Sequence, residues 1–326
     1  MTGERTALVL GATGGIGGET ARRLRAHGWT VKALHRGGAG AGRYEPGIDW
    51  IKGDAMRAGD VASAARGTSL IVHAVNPPGY RNWGELVLPM LENSIAAARA
   101  SSARILLPGT VYNYGPDAFP VIAEDAPQNP VTRKGAIRAE MERRLRAAAD
   151  TGVRTLIVRA GDFFGPRAGN SWFSQGMVKP GGPVATISYP GRPGTGHQWA
   201  YLPDVAETMA RLADLGDALD PFASFHMAGH WDHDGTEMIA AIRRAVQPVE
   251  PRLRSLSWGL LGLAAPFVPL FRELREMRYL WTMPVRMDND RLLAVLGEEP
   301  HTPLDLAVRT TLEGLGCLPQ EKAAAA

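Results

Sequence analysis

Short apolar runs and longer amphipathic stretches alternate through the first half of the chain. Ala7–Leu10, Thr30–Leu34, Asp49–Lys52, Leu70–Ala74, Arg104–Leu107 and Arg154–Arg159 read as strands. Ile16–His27, Glu85–Ala100 and Val131–Ala149 read as helices between them. The strands show little alternation of apolar and polar positions, as expected when helices cover both faces of a sheet. The repeated strand–helix–strand order predicts an α/β fold with a parallel, doubly wound sheet of the Rossmann type. After Gly165 the texture changes. Residues 166–196 are rich in Gly and Pro and carry little periodicity. Helical stretches resume at Pro203–Leu212, Gly235–Val246, Arg272–Leu280, Asn289–Leu296 and Pro303–Leu315. The expectation is a Rossmann domain over 1–165 and a smaller, mostly helical lobe over 166–326, with some segments of the lobe returning to the first core.

The first strand runs directly into Gly11-Ala12-Thr13-Gly14-Gly15-Ile16-Gly17, and a helix follows. Glycine at 11 permits the tight turn, at 14 lets the backbone approach a pyrophosphate, and at 17 lets the helix pack on the strand. The helix N-terminus adds free N–H groups and the positive end of its dipole. Position between a strand and a helix is the context that separates such a loop from a plain turn. The second strand ends in His35-Arg36. A cofactor without a 2′-phosphate calls for a carboxylate there, whereas the Arg36 guanidinium suits the 2′-phosphate of NADP. Asp54, just after the third strand, has the chemistry to accept from an adenine amino group. The domain over 1–165 is therefore expected to bind NADP(H).

Composition narrows the classes. The 326 residues are 45% hydrophobic and 21% charged, with a net charge of +3. That excess is small and its basic residues are scattered, which argues against nucleic acid. One cysteine, Cys317, leaves no internal disulfide and no thiolate zinc cluster, and suits a reducing compartment. The polar start, Met1–Thr6, does not read as a signal peptide, so a cytoplasmic location is expected. Leu256–Phe271 is apolar but broken by Pro266 and Pro269, and shorter than the ~20 residues that span a bilayer. It reads as a buried or pocket-lining helix, with a membrane-surface or homodimer contact as the alternative.

Several motifs together resemble the extended short-chain dehydrogenase/reductase family, the group of nucleotide-sugar epimerases and dehydratases. The glycine pattern resembles that family's signature, and Ile71-Val72-His73-Ala74 its fourth strand. Gly109-Thr110-Val111-Tyr112-Asn113-Tyr114-Gly115 is similar to its fifth-strand motif, with Thr110 at the Ser/Thr position. Val158-Arg159-Ala160-Gly161-Asp162-Phe163-Phe164-Gly165-Pro166 resembles the sixth-strand motif beside the nicotinamide, and Trp199–Ala206 the segment that opens the substrate lobe. The resemblance covers nearly the whole chain. It implies a cofactor set of Gly11, Thr13, Gly14, Gly15, Ile16, Gly17, Arg36, Asp54, Ala55, Ala74, Arg138, Ala160, Gly161 and Phe163, with no metal.

The family's chemistry uses a Tyr and, one helical turn on, a Lys. Here the frame Pro127-Gln128-Asn129-Pro130 aligns, but Lys134 stands at the Tyr position and Arg138 at the Lys position. Three readings follow. Lys134 replaces the acid, since the reference pKa of lysine (~10.4) is close to that of tyrosine (~10), while Arg138 on the same helix face bonds the ribose hydroxyls. Alternatively Tyr112, on the Thr110 loop, supplies the proton. In the third reading the pair only clamps the cofactor and nothing turns over. The first two describe an NADP(H)-dependent oxidoreductase with Thr110, Lys134, Tyr112 and Arg138 around a small-molecule substrate. The third describes an NADP(H)-binding sensor or interaction protein. His226, His230 and His233 with Asp232 and Asp234 read as a solvated loop rather than a metal site. Trp172, Phe173, Trp258, Phe267 and Phe271 are candidates for the substrate pocket, and Arg167, Arg192 and His197 for an anionic substrate.

Arg36 generates a direct test. NADPH is expected to bind about tenfold or more tighter than NADH, a difference of about 1.4 kcal/mol, and Arg36→Ala is expected to erase the preference. Fluorescence titration of both cofactors measures it, and equal affinities on the wild type refute it.

Overall fold

The computed structural model describes residues 5–37, 45–77, 82–169, 171–256, 258–259 and 275–318. Most of the apolar stretch Leu256–Phe271, the start of the Arg272–Leu280 helix and the alanine tail lie outside the described residues. The first half follows the strand–helix order: β1 (Thr6–Leu10), α1 (Gly15–Ala26), β2 (Thr30–His35), β3 (Asp49–Lys52), α2 (Ala58–Ala64), β4 (Leu70–His73), α3 (Trp83–Ser101), β5 (Arg104–Thr110), the short β6 (Val121–Ile122), α4 (Arg133–Ala149), β7 (Thr155–Ala160) and β8 (Asp162–Phe164). There follow β9 (Thr186–Tyr189), β10 (His197–Tyr201), α5 (Leu202–Asp214), β11 (Phe222–His226), β12 (His230–Asp232), α6 (Glu237–Ala245), β13 (Arg252–Ser255), β14 (Arg286–Met287), α7 (Asp290–Leu296) and α8 (Leu304–Gly314). Helix α2 holds one large apolar residue, Val61, so it leaves no stripe for periodicity to detect.

Seven parallel strands form the central sheet in the order β11-β7-β5-β4-β1-β2-β3. The chain steps outward from β1 to β2 and β3, then returns to the other side of β1 at β4. That reversal opens a crevice at the carboxyl ends of β1 and β4, where ligands bind in open α/β sheets. Alternate residues of each strand enter different cores. Ala7 and Val9 pack with Val205, Met209 and Leu212 of α5, whereas Leu8 and Leu10 pack in the core that holds Leu91 and Ile95 of α3 and Leu145 of α4. Both faces are therefore buried, which is why the strands read as unbroken apolar runs. A third core gathers Tyr114, Phe164, Phe173, Trp199 and Trp281 with Met238 and Ile242 of α6 and Leu312 of α8. The segments after residue 165 also supply the edge strand β11 and helix α5, which packs on α1.

Two arginines fix the sheet internally. Arg104, at the start of β5, donates to the carbonyls of Thr155, Asp220, Gly216 and Leu219, and burial lowers its pKa to about 10. Arg159, near the end of β7, pairs with Glu142 of α4 at 2.6 Å, with both side chains almost wholly buried. Its Nη1 also donates to His226 Nε2 at 2.9 Å, while the Tyr114 hydroxyl lies 3.2 Å from the same nitrogen. His226 Nδ1–H donates to the Ile122 carbonyl at 3.2 Å. The imidazole is thus held neutral, its pKa pushed down to about 3 by burial and then by Arg159.

This makes the fold acid-sensitive with a defined sign. Between the unfolded histidine value of ~6.5 and the native value of about 3, the unfolded chain binds a proton that the native His226 refuses. Stability is therefore full above pH ~6.5 and falls by roughly 1.4 kcal/mol per pH unit below it for each such histidine. Urea-unfolding free energies measured from about pH 7 to pH 5 are expected to fall along this slope, and His226→Gln is expected to flatten it. A pH-independent wild type contradicts this.

Candidate functional site

The crevice is occupied by the glycine loop. Gly11 has φ +93°, and a Cβ there would lie 2.5 Å from the Ala74 carbonyl oxygen, so only glycine fits this turn against the end of β4. A Cβ at Gly17 would lie 2.3 Å from the Gly11 oxygen, which is the close approach of α1 to the loop. Gly14 differs. Its backbone is extended, and an added Cβ would meet only the Gly11 oxygen, at 3.3 Å. Its open side faces the cleft. The first intrahelical bond runs from Gly18 N–H to the Gly14 carbonyl, so the N–H groups before it point out of the helix end. The α1 N-cap carries no side-chain cap that would compete for them.

One cleft of about 1020 Å³ runs from this loop across the sheet ends. It exceeds the ~300–1,000 Å³ typical of ligand pockets, so it has room for a dinucleotide and a further small molecule. Thr13, Gly14, Gly15 and Ile16 line it, as do Arg36, Asp54, Ala55, Ala74, Gly161 and Phe163. Gly11 lines it too, whereas Gly17 and Ala160 lie behind the wall. Arg36 is exposed at the rim beside His35. Asp54 Oδ1 accepts from the Met56 N–H at 3.0 Å, which fixes the turn after β3.

The reactive candidates meet at the C-terminal end of β5. Thr110 caps the short turn Val111–Asn113, accepting from the Tyr112 N–H. Helix α4 starts beside it, capped by Thr132, whose Oγ1 accepts from the Gly135 N–H at 3.0 Å. A Cβ at Gly135 would lie 2.3 Å from the Tyr112 carbonyl, so glycine lets the first turn of α4 close on the Tyr112 loop. Lys134, next to it and only 5% exposed, is held in the cleft wall with Thr110 and Tyr112. Arg138, a turn further on, places its guanidinium 5.2 Å over the Trp83 ring and donates to the Pro108 carbonyl at 3.5 Å. All four sequence candidates share one wall.

Two side chains missed by the sequence reading join them. Asp162 lies inside the sixth-strand motif but was not singled out there, because a lone Asp carries no periodic signal. Its Oδ1 accepts from the Tyr112 hydroxyl at 3.3 Å, and its Oδ2 from His197 Nε2 at 3.0 Å. His197 in turn stacks on Trp281, the rings 3.7 Å apart and nearly parallel. His73, on β4, lies 2.8 Å from Ser94 Oγ, and that hydroxyl donates to the Met90 carbonyl. His73 therefore gives Nδ1–H to Ser94 and keeps an acceptor lone pair on Nε2, which has no partner among the described residues. Burial, then Arg138, pushes its pKa down to about 3, so it stays neutral.

Three other expectations fail on position. Arg167 pairs with Glu19 at 3.2 Å, Arg192 is exposed and His197 faces Asp162, so none of the three lines the cleft. Among the described residues no group of three or more His, Cys, Asp or Glu is arranged to hold a metal ion. Nor is any described helix long and apolar enough to cross a membrane.

The profile of the NAD dependent epimerase/dehydratase family matches residues 7–228. The chain belongs to this family. No curated protein matches it by sequence. Among solved structures, the fold is similar to MoeE5 in complex with UDP-glucose and NAD, with 18% identity, a TM-score of 0.72, and 95% of this chain and 98% of that one covered. It is also similar to the UDP-glucose 4-epimerase of Thermotoga maritima with UDP-glucose, at 14% identity and TM-score 0.72, again over 95% and 98%. A third is the UDP-glucose-4-epimerase of Stenotrophomonas maltophila with NAD and formylated UDP-arabinopyranose, at 15% identity and TM-score 0.73 over 96% and 98%. At such identities the likeness establishes the fold. Lys134 and Arg138, a turn apart on α4, both line the cleft of this chain.

Two substitutions separate the roles of the loop glycines. Gly14→Val is expected to leave the protein folded and to abolish cofactor binding, because its Cβ meets one backbone oxygen, at 3.3 Å, on a residue that lines the cleft. Gly17→Val is expected to destabilise the fold as well, because its Cβ meets backbone. Calorimetric titration and thermal unfolding measure both, and undiminished binding by Gly14→Val would reduce the loop to a plain turn.

Proposed function

We propose that the chain is an NADP(H)-dependent oxidoreductase of the extended short-chain type, in which Lys134 has taken over proton donation. The observation that carries this reading is the single cleft shared by the glycine loop, Arg36, Thr110 and Lys134. The N–H groups at the start of α1 hold a pyrophosphate, and Arg36 holds the 2′-phosphate at the rim. Arg138, braced by Trp83 and Pro108, donates to the nicotinamide ribose hydroxyls. The NAD named for MoeE5 and the Stenotrophomonas enzyme supports a nicotinamide cofactor, and the absence of an acid at the end of β2 supports the phosphorylated form.

When bound, NADPH supplies a hydride to a carbonyl carbon. The Thr110 hydroxyl hydrogen-bonds the carbonyl oxygen and orients it. Lys134 Nζ gives that oxygen a proton, leaving an alcohol and a neutral amine that regains its proton from solvent. Tyr112 is the competing donor. Its hydroxyl hydrogen is directed at Asp162, so it offers the substrate an oxygen lone pair rather than a proton, and this favours Lys134.

Lys134→Met is expected to lower turnover by about 10²–10⁴-fold with NADPH affinity changed by no more than a few-fold. Arg138→Met is expected to weaken cofactor binding as well. NADPH oxidation against ketones, aldehydes and keto-sugars, with parallel cofactor titrations, reads both. A Lys134→Met protein with full turnover, beside an inactive Tyr112→Phe, moves the acid to Tyr112.

A further inference from the structure

We infer that the substrate is an uncharged carbonyl compound with a flat, aryl-sized apolar body, and not a nucleoside diphosphate sugar. The inference rests on the oxidoreductase reading of the same cleft. Beyond Thr110 the cleft is walled by Trp172, Met277 and Leu256, with Ser171, Gln175 and Ser188 as uncharged polar groups. Trp172 is 8% exposed and is wedged edge-on against Trp281 at 5.2 Å, so the indole is a rigid wall. Gly176 packs closely on it, since a Cβ there would lie 3.1 Å from Trp172 Cε3. An indole that lines the cleft suits a planar apolar group.

The charges point the same way. Asp162, 7% exposed, is the carboxylate at this end of the cleft. Its oxygens accept from Tyr112 and His197, and no arginine or lysine is among its bonded partners. Among the described residues, the lysine and arginine side chains in the cleft wall are Arg36, Lys134 and Arg138. Arg36 lies at the rim, Arg138 is turned onto Trp83 and Pro108, and Lys134 is the group assigned above to the carbonyl oxygen. A diphosphate in the substrate end would therefore give up its water for an indole and a carboxylate, with no guanidinium left to pair with among the described residues. Burying a charge without a partner is strongly unfavourable, and a like charge adds to it. A neutral carbonyl loses nothing by this and gains the Trp172 face.

Three probes separate the alternatives on the NADPH-loaded protein: methyl benzoylformate, benzoylformate and UDP-glucose. The first two share one aryl ketone skeleton and differ by a negative charge. Calorimetry is expected to show the ester binding about tenfold or more tighter than the acid, with UDP-glucose failing to compete at millimolar concentration. Trp172→Ala is expected to weaken the ester about tenfold while leaving the Kd for NADPH unchanged. Asp162→Asn is expected to bring acid and ester closer together, and a retained NADPH Kd shows that this variant is folded. An acid that binds as well as the ester, tight UDP-glucose binding, an ester that does not bind, or a Trp172→Ala protein with unaltered ester affinity overturns the inference. Failure of NADPH to bind at all strikes the oxidoreductase reading instead, and leaves the ester-against-acid comparison measurable on the cofactor-free protein.

Discussion

The buried ion pair between Arg159 and Glu142 sets the geometry on which the rest of the cleft depends. It ties α4 to β7 inside the protein, where two charges are tolerated only with each other and with further hydrogen bonds. Glu142 receives those bonds from Arg159 and from Gln128, at 2.6 Å, and Arg159 places its remaining N–H on His226. Because α4 is anchored there, its first turn reaches the end of β5 in one position. Gly135 then seats that turn on the Tyr112 loop, and Lys134 and Arg138 follow. This end of the cleft is thus placed by a network whose own side chains do not line it.

Much of this was legible in the residues. Parallel strands buried on both faces, the loop from Gly11 to Gly17 and the Pro127–Pro130 frame are local in sequence, and local physics decides them. The strand boundaries moved by a residue or a few: β5 continues to Thr110, since Pro108 and Gly109 still pair with β7. What could not be read was long-range. Asp162, His197 and Trp281 form one stack only because β8, β10 and the turn at Met277–Trp281 converge. No spacing in the sequence encodes that meeting. Arg167 and His197 failed as anion ligands for the same reason: each has a buried or nearby carboxylate partner that lies far away along the chain.

Lys134 and Arg138 belong to α4, outside the sheet, and line the cleft, so exchange at these positions leaves the strands undisturbed. The protein accommodates two basic side chains on one wall with an aromatic ring and a carbonyl under Arg138 and a neutral histidine, His73, nearby. A protonated imidazole there would add a third positive charge to one wall. The surrounding burial, and then the Arg138 charge, prevent that.

Arg104 bears on how separable the two halves of the chain are. Its buried guanidinium has no ion-pair contact among the described residues, although the Asp220 charge acts on it; it is solvated by four backbone carbonyls. Thr155 contributes one of them, and Gly216, Asp220 and Leu219 contribute the others from the stretch between α5 and β11. A fragment cut after β7 would keep the arginine and lose most of its solvation shell, along with the edge strand that covers β7. The N-terminal half is therefore not a transplantable cassette: to graft it onto another protein, the cut has to fall beyond β11, or the cation at 104 has to be replaced by something that needs no acceptors.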